Sequence, residues 1–178
     1  MGDVAIPPDE SIDAPALRVD PEFDWWDRSQ SRTPMPWSGD RGAGFTTAAR
    51  PWLRVGPDAA GRNVAAQDRD PTSVLACYRR VIAARRACRA LQDGSLTLVR
   101  GLPADVLAYR RRAAGPVAGE ALVIVAFGPA GVELEIPRPR GGGGWQVLVG
   151  SHVVPSAPDH ARRIAVRPYE AVVLTAAL

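Results

Sequence analysis

A mainly β fold, an antiparallel β-sandwich preceded by one long α-helix and an extended irregular N-terminal segment, is what the sequence predicts. Three observations lead to it. From Ser95 onward, short apolar or alternating segments are separated by turn residues. From Asp70 to Asp93 apolar residues recur at helical spacing, and before Asp70 the chain is rich in Pro, Gly and Asp and follows neither period. The implied organisation is an irregular segment over 1–69, a helix over 70–93 and a β domain over 95–178.

The irregular segment has the composition of a shaped loop. Within RTPMPWSGDRGAGFTT (32–47), Pro34 and Pro36 remove two backbone donors and fix φ, while Gly39, Gly42 and Gly44 permit turns that other residues resist. Phe23, Trp25, Trp26, Trp37, Phe45 and Trp52 are more aromatics than a disordered linker carries. A structureless stretch of this length is out of place inside a complete compact domain. The first seventy residues are therefore expected to make no core of their own and to lie over a neighbour. Asp20, Glu22, Asp24 and Asp27 cluster around Trp25 and Trp26, a composition that sugar-cleaving sites share. Such a site needs its two carboxyl groups held about 5 to 10 Å apart on a rigid frame. The sequence shows no frame, so these acids read as solvated loop residues.

The helix is expected to start with Asp70 as N-cap and Pro71 in the first turn. Val74, Leu75, Cys77, Tyr78, Val81, Ile82, Ala84 and Cys88 cover more than half of its circumference, wider than a one-sided surface helix needs, which implies two packing partners. Arg85 falls within that arc, where a buried ion pair or a guanidinium packed on carbonyls would accommodate it. Cys77 and Cys88 on one helix lie roughly 16 Å apart along its axis, too far for a disulfide, and read as buried thiols.

Six or seven strands follow: SLTLVR (95–100), DVLAYRRR (105–112), ALVIVAF (121–127), VELEIP (132–137), WQVLVG (145–150), RRIAV (162–166) and YEAVVLTA (169–176). The glycines at 141–144 precede no Lys-Ser/Thr pair and open no helix, so they form a turn and not a phosphate cradle.

Composition narrows the function. At 178 residues, 46% hydrophobic and 23% charged, the chain resembles an ordinary globular protein, and no apolar run approaches the roughly 18 residues of a membrane span. The opening MGDVAIPPDESID lacks the basic start and apolar stretch of a signal peptide, so a cytoplasmic location is expected. All 22 basic residues are arginine; residues 1–70 hold eight against twelve acids, and residues 71–178 hold fourteen against seven. Arg110, Arg111, Arg112, Arg138, Arg140, Arg162 and Arg163 lack interleaved aromatics, so they read as a solvated basic surface with no nucleic-acid partner. Two cysteines with His152 and His160 do not make a zinc site; no metal and no cofactor is expected. No Ser-His-Asp or Cys-His arrangement is legible.

RTPMPW, AGFTT (43–47), PWL (51–53), NVAAQ (63–67) and DPTSVLACYRRVIAARR (70–86), in that order and spacing, resemble the C-terminal part of α-glucosidases of glycoside hydrolase family 13, the α-amylase family. GDVAIPPD is similar to the segment after the barrel's eighth strand, and RPYEAVVLTA looks like the closing strand of the C-terminal β domain. The resemblance implies that the RTPMPW loop covers the active-site mouth of a (β/α)₈ barrel and that the helix is the barrel's eighth. It makes Arg32 a candidate contact to a sugar hydroxyl, its alternative being a salt bridge that fixes the loop. It also implies that the catalytic carboxylates precede Met1, which would then be an internal methionine, leaving this chain unable to hydrolyse an α-glucoside without the missing barrel. Apolar helix surface should then be exposed, favouring self-association or a separately supplied barrel. Pro36 stands where many relatives have glutamine, and Ala126 where an asparagine is frequent. Alternatives are a non-catalytic carbohydrate-binding or protein-interaction module, in which Trp25, Trp26, Trp37 and Trp52 contact sugars or a partner, and a fragment of a trehalose synthase.

Overall fold

A computed structural model of the chain describes residues 4–12, 28–115, 119–158 and 162–176. The chain divides into two compact units, Met1–Asp70 and Pro71–Leu178.

The first unit departs from the expectation that these residues make no core. Val4, Ile6, Ala43, Leu53 and Ala59 are buried in it together with Ser29, Thr33 and Asn63. The core is small, and main-chain pairing supplements it: the Val4 amide donates to the Gln30 carbonyl at 3.1 Å, and turns cross-link the remainder. A helix, α1 (Val64–Arg69), closes the unit within what the sequence presents as irregular chain.

In the second unit the long helix is shorter than expected and divided. Asp70 is the C-cap of α1, and the next helix begins beyond it. Ser73 takes the N-cap position of α2 (Val74–Ala87), its Oγ accepting from the Ala76 amide at 3.1 Å. Cys88 is extended (φ −113°, ψ 106°) and breaks the run; α3 (Arg89–Asp93) resumes beyond it. The break lets Ala90 pack on Ala113 and Ala121. A Cβ on Gly94 would stand 2.4 Å from the Ala90 carbonyl oxygen and 2.8 Å from the main chain of Arg112, so only glycine fits there. Of the two readings of Arg85, the second holds: its Nη1 donates to the Leu91 carbonyl, and the residue is exposed. Gln92 Nε2 donates to the Arg86 carbonyl at 2.8 Å, satisfying an acceptor in the last turn of α2. Cys77 and Cys88 are free thiols, half-buried and not fully so.

Seven strands follow at the expected segments: β1 (Ser95–Leu98), β2 (Val106–Arg112), β3 (Glu120–Ala126), β4 (Val132–Glu135), β5 (Trp145–Gly150), β6 (Arg163–Val166) and β7 (Ala171–Ala176). Every pairing is antiparallel; one sheet has the order β1-β2-β3-β7-β5 and the other is the pair β4-β6. The two sheets share one apolar core. Leu122 and Ile124 of β3 lie opposite Leu174 and Val172 of β7, and Leu134, Ile164 and Val166 of the smaller sheet join the same cluster. The other face of β3 is covered at Ala121, which meets Ala90 of α3, in keeping with the unbroken apolar run 121–126 that follows Glu120. Among the described residues no helix is long and apolar enough to cross a membrane.

Leu122 is fully buried at the centre of this core. Leu122→Ala is expected to lower unfolding free energy by about 2–5 kcal/mol, as cavity-forming leucine truncations do. Urea denaturation measures it, and a loss below about 1 kcal/mol would contradict the shared-core description.

Candidate functional site

The RTPMPW loop is organised by a single amide. Asn63 is 4% exposed and forms the N-cap of α1: its Oδ1 accepts from the Ala66 amide at 2.8 Å, while its Nδ2 donates to the Ala59 and Ala60 carbonyls at 2.8 and 3.2 Å. The cap leaves the first two amides of α1 unsatisfied within the helix. They turn to the loop instead: Val64 donates to the Pro36 carbonyl at 2.9 Å and Ala65 to the Trp37 carbonyl at 3.0 Å.

The loop then folds over itself. Trp37 and Ser38 amides both donate to the Ala43 carbonyl, at 2.8 and 3.1 Å, and the Ala43 amide donates to the Asp40 carbonyl at 2.8 Å. Gly42, Ala43 and Gly44 all have positive φ (73°, 57° and 65°), which is the physical reason for a glycine on either side of the alanine. Ala43 tolerates the left-handed conformation at a cost of about 1 kcal/mol, while its methyl is buried in the turn. Ser38 Oγ donates to Asp40 Oδ2 at 2.7 Å and completes the tip.

This frame exposes a defined set of side chains. Arg32 follows the 3₁₀ turn Arg28–Ser31, its amide donating to the Ser29 carbonyl at 3.1 Å; Ser29 and Thr33 are buried while Arg32 is exposed. Trp37, Phe45 and Trp52 are exposed on the same unit. The acids Asp20, Glu22, Asp24 and Asp27, with Phe23, Trp25, Trp26 and also His160, lie outside the described residues.

The described carboxylates most engaged with their surroundings are paired with arginine. Glu10 faces Arg54 in a two-bonded pair, Oε2 to Nε at 2.8 Å and Oε1 to Nη2 at 2.6 Å, and this hydrogen bonding with the Arg54 charge lowers its pKa. Glu120 is buried, accepting from Arg112 Nη2 at 3.1 Å and from the Arg140 amide at 2.9 Å. Arg110 Nε lies 3.5 Å from the same carboxylate, and its guanidinium lies 5.9 Å from the centre of the Trp145 ring. Arg110 and Arg112 are thus half-buried structural groups, a correction to the solvated basic surface expected of them.

Glu170 has 0% exposure. Its carboxylate accepts from the Ser156 amide and hydroxyl at 2.8 and 2.7 Å, the Arg167 amide at 2.9 Å and Arg167 Nη2 at 2.9 Å. Burial alone would raise its pKa; the bonds from Arg167 and Ser156 outweigh that and bring it down to about 2. His152 Nδ1 approaches Glu170 Oε1 at 3.8 Å and Ser151 Oγ at 3.3 Å. Both neighbours meet the same ring nitrogen, so the three do not form a nucleophile–base relay, which needs the two ring nitrogens separately engaged. A general acid of a glycosidase needs a raised pKa. Glu10 and Glu170 are shifted the opposite way. Sequence reasoning missed Asn63 as the organiser of the loop, although asparagine directly before VAAQDR is a legible cap signal; it missed the Glu170 clamp because its partners come from a distant loop.

Residues 1–94 match the family model described as alpha amylase, catalytic domain. A salivary alpha-glucosidase of Anopheles gambiae is 33% identical over 154 residues, 85% of this chain and 25% of that protein. An oligo-1,6-glucosidase of Bacillus cereus is 30% identical over 146 residues, 82% of this chain and 25% of that protein. Among solved structures, a trehalose-6-phosphate hydrolase of Bacillus licheniformis superposes with a TM-score of 0.70 at 27% identity, over 85% of this chain and 26% of that one. An alpha-glucosyl transfer enzyme superposes with a TM-score of 0.77 at 25% identity, over 99% of this chain and 31% of that one. The chain spans about a quarter of the length of the curated relatives it matches.

The Glu170 clamp carries a pH dependence. Its folded-state pKa of about 2 lies below the ordinary 4.5, so its contribution, roughly 3 kcal/mol, is fully present above pH 4.5 and is lost as pH falls through about 2. Glu170→Gln should flatten the fall in stability across that window in denaturant titrations; an unchanged pH profile in the variant would contradict the assignment.

Proposed function

The chain belongs to the alpha-amylase family, and from that premise we propose that it is the C-terminal part of an enzyme acting on α-glucosides, contributing a loop over the active-site mouth, the last barrel helix and a β-sandwich domain. The observation that carries this reading is the match of residues 1–94 to the catalytic-domain model, which takes in both the RTPMPW loop and α2. The likeness to an alpha-glucosidase and an oligo-1,6-glucosidase supports the substrate class.

Arg32 is the residue assigned to substrate. Its five guanidinium N–H groups form a rigid fork suited to hydroxyl oxygens, and it directly precedes the buried Thr33 and Pro34. The chemistry of bond cleavage lies elsewhere in the assembled enzyme. A retaining glycosidase needs a nucleophilic carboxylate and a second carboxyl group that can donate a proton near neutral pH. Glu10 and Glu170, held as anions, do not meet the second requirement. Val74, Tyr78, Val81 and Ile82 of α2 are exposed, Tyr78 to 67%, and this face is assigned to the rest of the barrel.

Two measurements test the reading. The purified chain should give no turnover of maltose or of an aryl α-glucoside above a protein-free control; activity that co-purifies with the chain would overturn it. By sedimentation velocity the chain should associate reversibly through α2, and Tyr78→Glu with Ile82→Glu should weaken that association. A monomer at high concentration would remove the argument from the uncovered face.

A further inference from the structure

A cleft in the first unit, about 630 Å³ in volume, runs between the 3₁₀ turn Pro8–Glu10 and residues 48–55. Its size falls within the roughly 300–1,000 Å³ of small-molecule sites. Trp52 lines it with 84% of its surface exposed, although the adjoining Leu53 is buried and anchors the segment. The same lining holds two acids, Asp9 and Glu10, and three arginines, Arg41, Arg50 and Arg54. We infer that this cleft is a sugar subsite, taking one pyranose ring of an α-linked glucoside with its C–H face on the Trp52 indole and its hydroxyls on the surrounding acid and guanidinium groups.

The chemistry of the lining selects this ligand over others. A pyranose has an apolar face of axial C–H bonds and a rim of hydroxyls, each of which donates and accepts. An indole supplies a rigid, flat apolar surface with little rotamer entropy to lose. Carboxylates accept from the rim and guanidinium groups donate to it, so a cleft that holds both suits hydroxyls. The mixed lining, two carboxylates among three arginines, suits a neutral polyol that both donates and accepts, whereas a purely apolar partner would leave the ionic groups without solvent. The Glu10–Arg54 pair is already fixed by two bonds of 2.8 and 2.6 Å, yet it uses only two of the five guanidinium donors and leaves Arg54 43% exposed. The wall is therefore preorganised before any ligand enters, which reduces the entropy lost on binding.

The inference deepens the α-glucoside reading and rests on it for the linkage of the sugar. The test is the indole N–H spectrum of the intact chain titrated with maltotriose. The chain has five tryptophans, and the Trp52 signal is identified by its loss in Trp52→Phe. The expected result is a saturable shift of that signal, affinity weakened roughly tenfold in Trp52→Ala as loss of an aromatic contact predicts, and no comparable shift with the β-linked cellotriose. A Trp52 signal unmoved by maltotriose overturns the subsite while leaving the family reading to the turnover and association measurements. Equal shifts with both trisaccharides overturn the α-linked occupant.

Discussion

The first unit depends on Asn63. A loop with no ladder of its own must still satisfy its backbone donors and acceptors, and here it does so through the start of a six-residue helix. The Asn63 side chain acts on both sides: its oxygen caps α1 and its nitrogen ties down the Ala59 and Ala60 carbonyls. With the helix start fixed, Val64 and Ala65 hold the carbonyls of Pro36 and Trp37, and the loop closes through Ala43. Each such bond contributes about 1 kcal/mol net, and the cap about 0.5–2 kcal/mol. Those small terms matter because the apolar core beside them is only a few residues, Val4, Ile6 and Leu53 foremost.

The second unit has the opposite balance. Two antiparallel sheets bury a continuous set of branched aliphatic side chains, and this core sets the register of every strand in it. The two carboxylates that enter the interior, Glu120 and Glu170, do so already paired. Glu120 meets Arg110 and Arg112 of β2, and Glu170 ties the Ser156 segment to the turn before β7. In a chain whose only basic side chain besides histidine is arginine, the forked guanidinium serves these sites better than an ammonium would, because it can bond a carboxylate through two parallel donors.

The strands were legible because their signals are local: a burst of β-branched and aromatic residues between turn residues at 101–105, 128–131 and 141–144. The helix was legible as an element but not at its ends. Asp70 and Ser73 are both good caps by residue type; Asp70 closes α1 and Ser73 opens α2. The break at Cys88 depends on Ala90 reaching Ala113 and Ala121, a tertiary demand that no sequence window contains. Arg32 was legible only through its motif, since nothing in its own type separates it from the other arginines. Trp52 was legible as one of four tryptophans offered as contacts in the binding-module alternative, but its cleft was not, because Asp9 and Trp52 come together only when the first unit closes.

The placement of Arg32 in the first unit thus comes down to how a loop without regular structure is held by the start of a short helix. Amide hydrogen exchange at Val64 and Ala65 tests that most directly. If Asn63 holds the loop through the start of α1, both amides are protected in the native chain, and in Asn63→Ala they lose protection together with Trp37 and Ser38 while the β3 amides keep theirs. Protection at Val64 and Ala65 that survives Asn63→Ala unchanged would contradict the account.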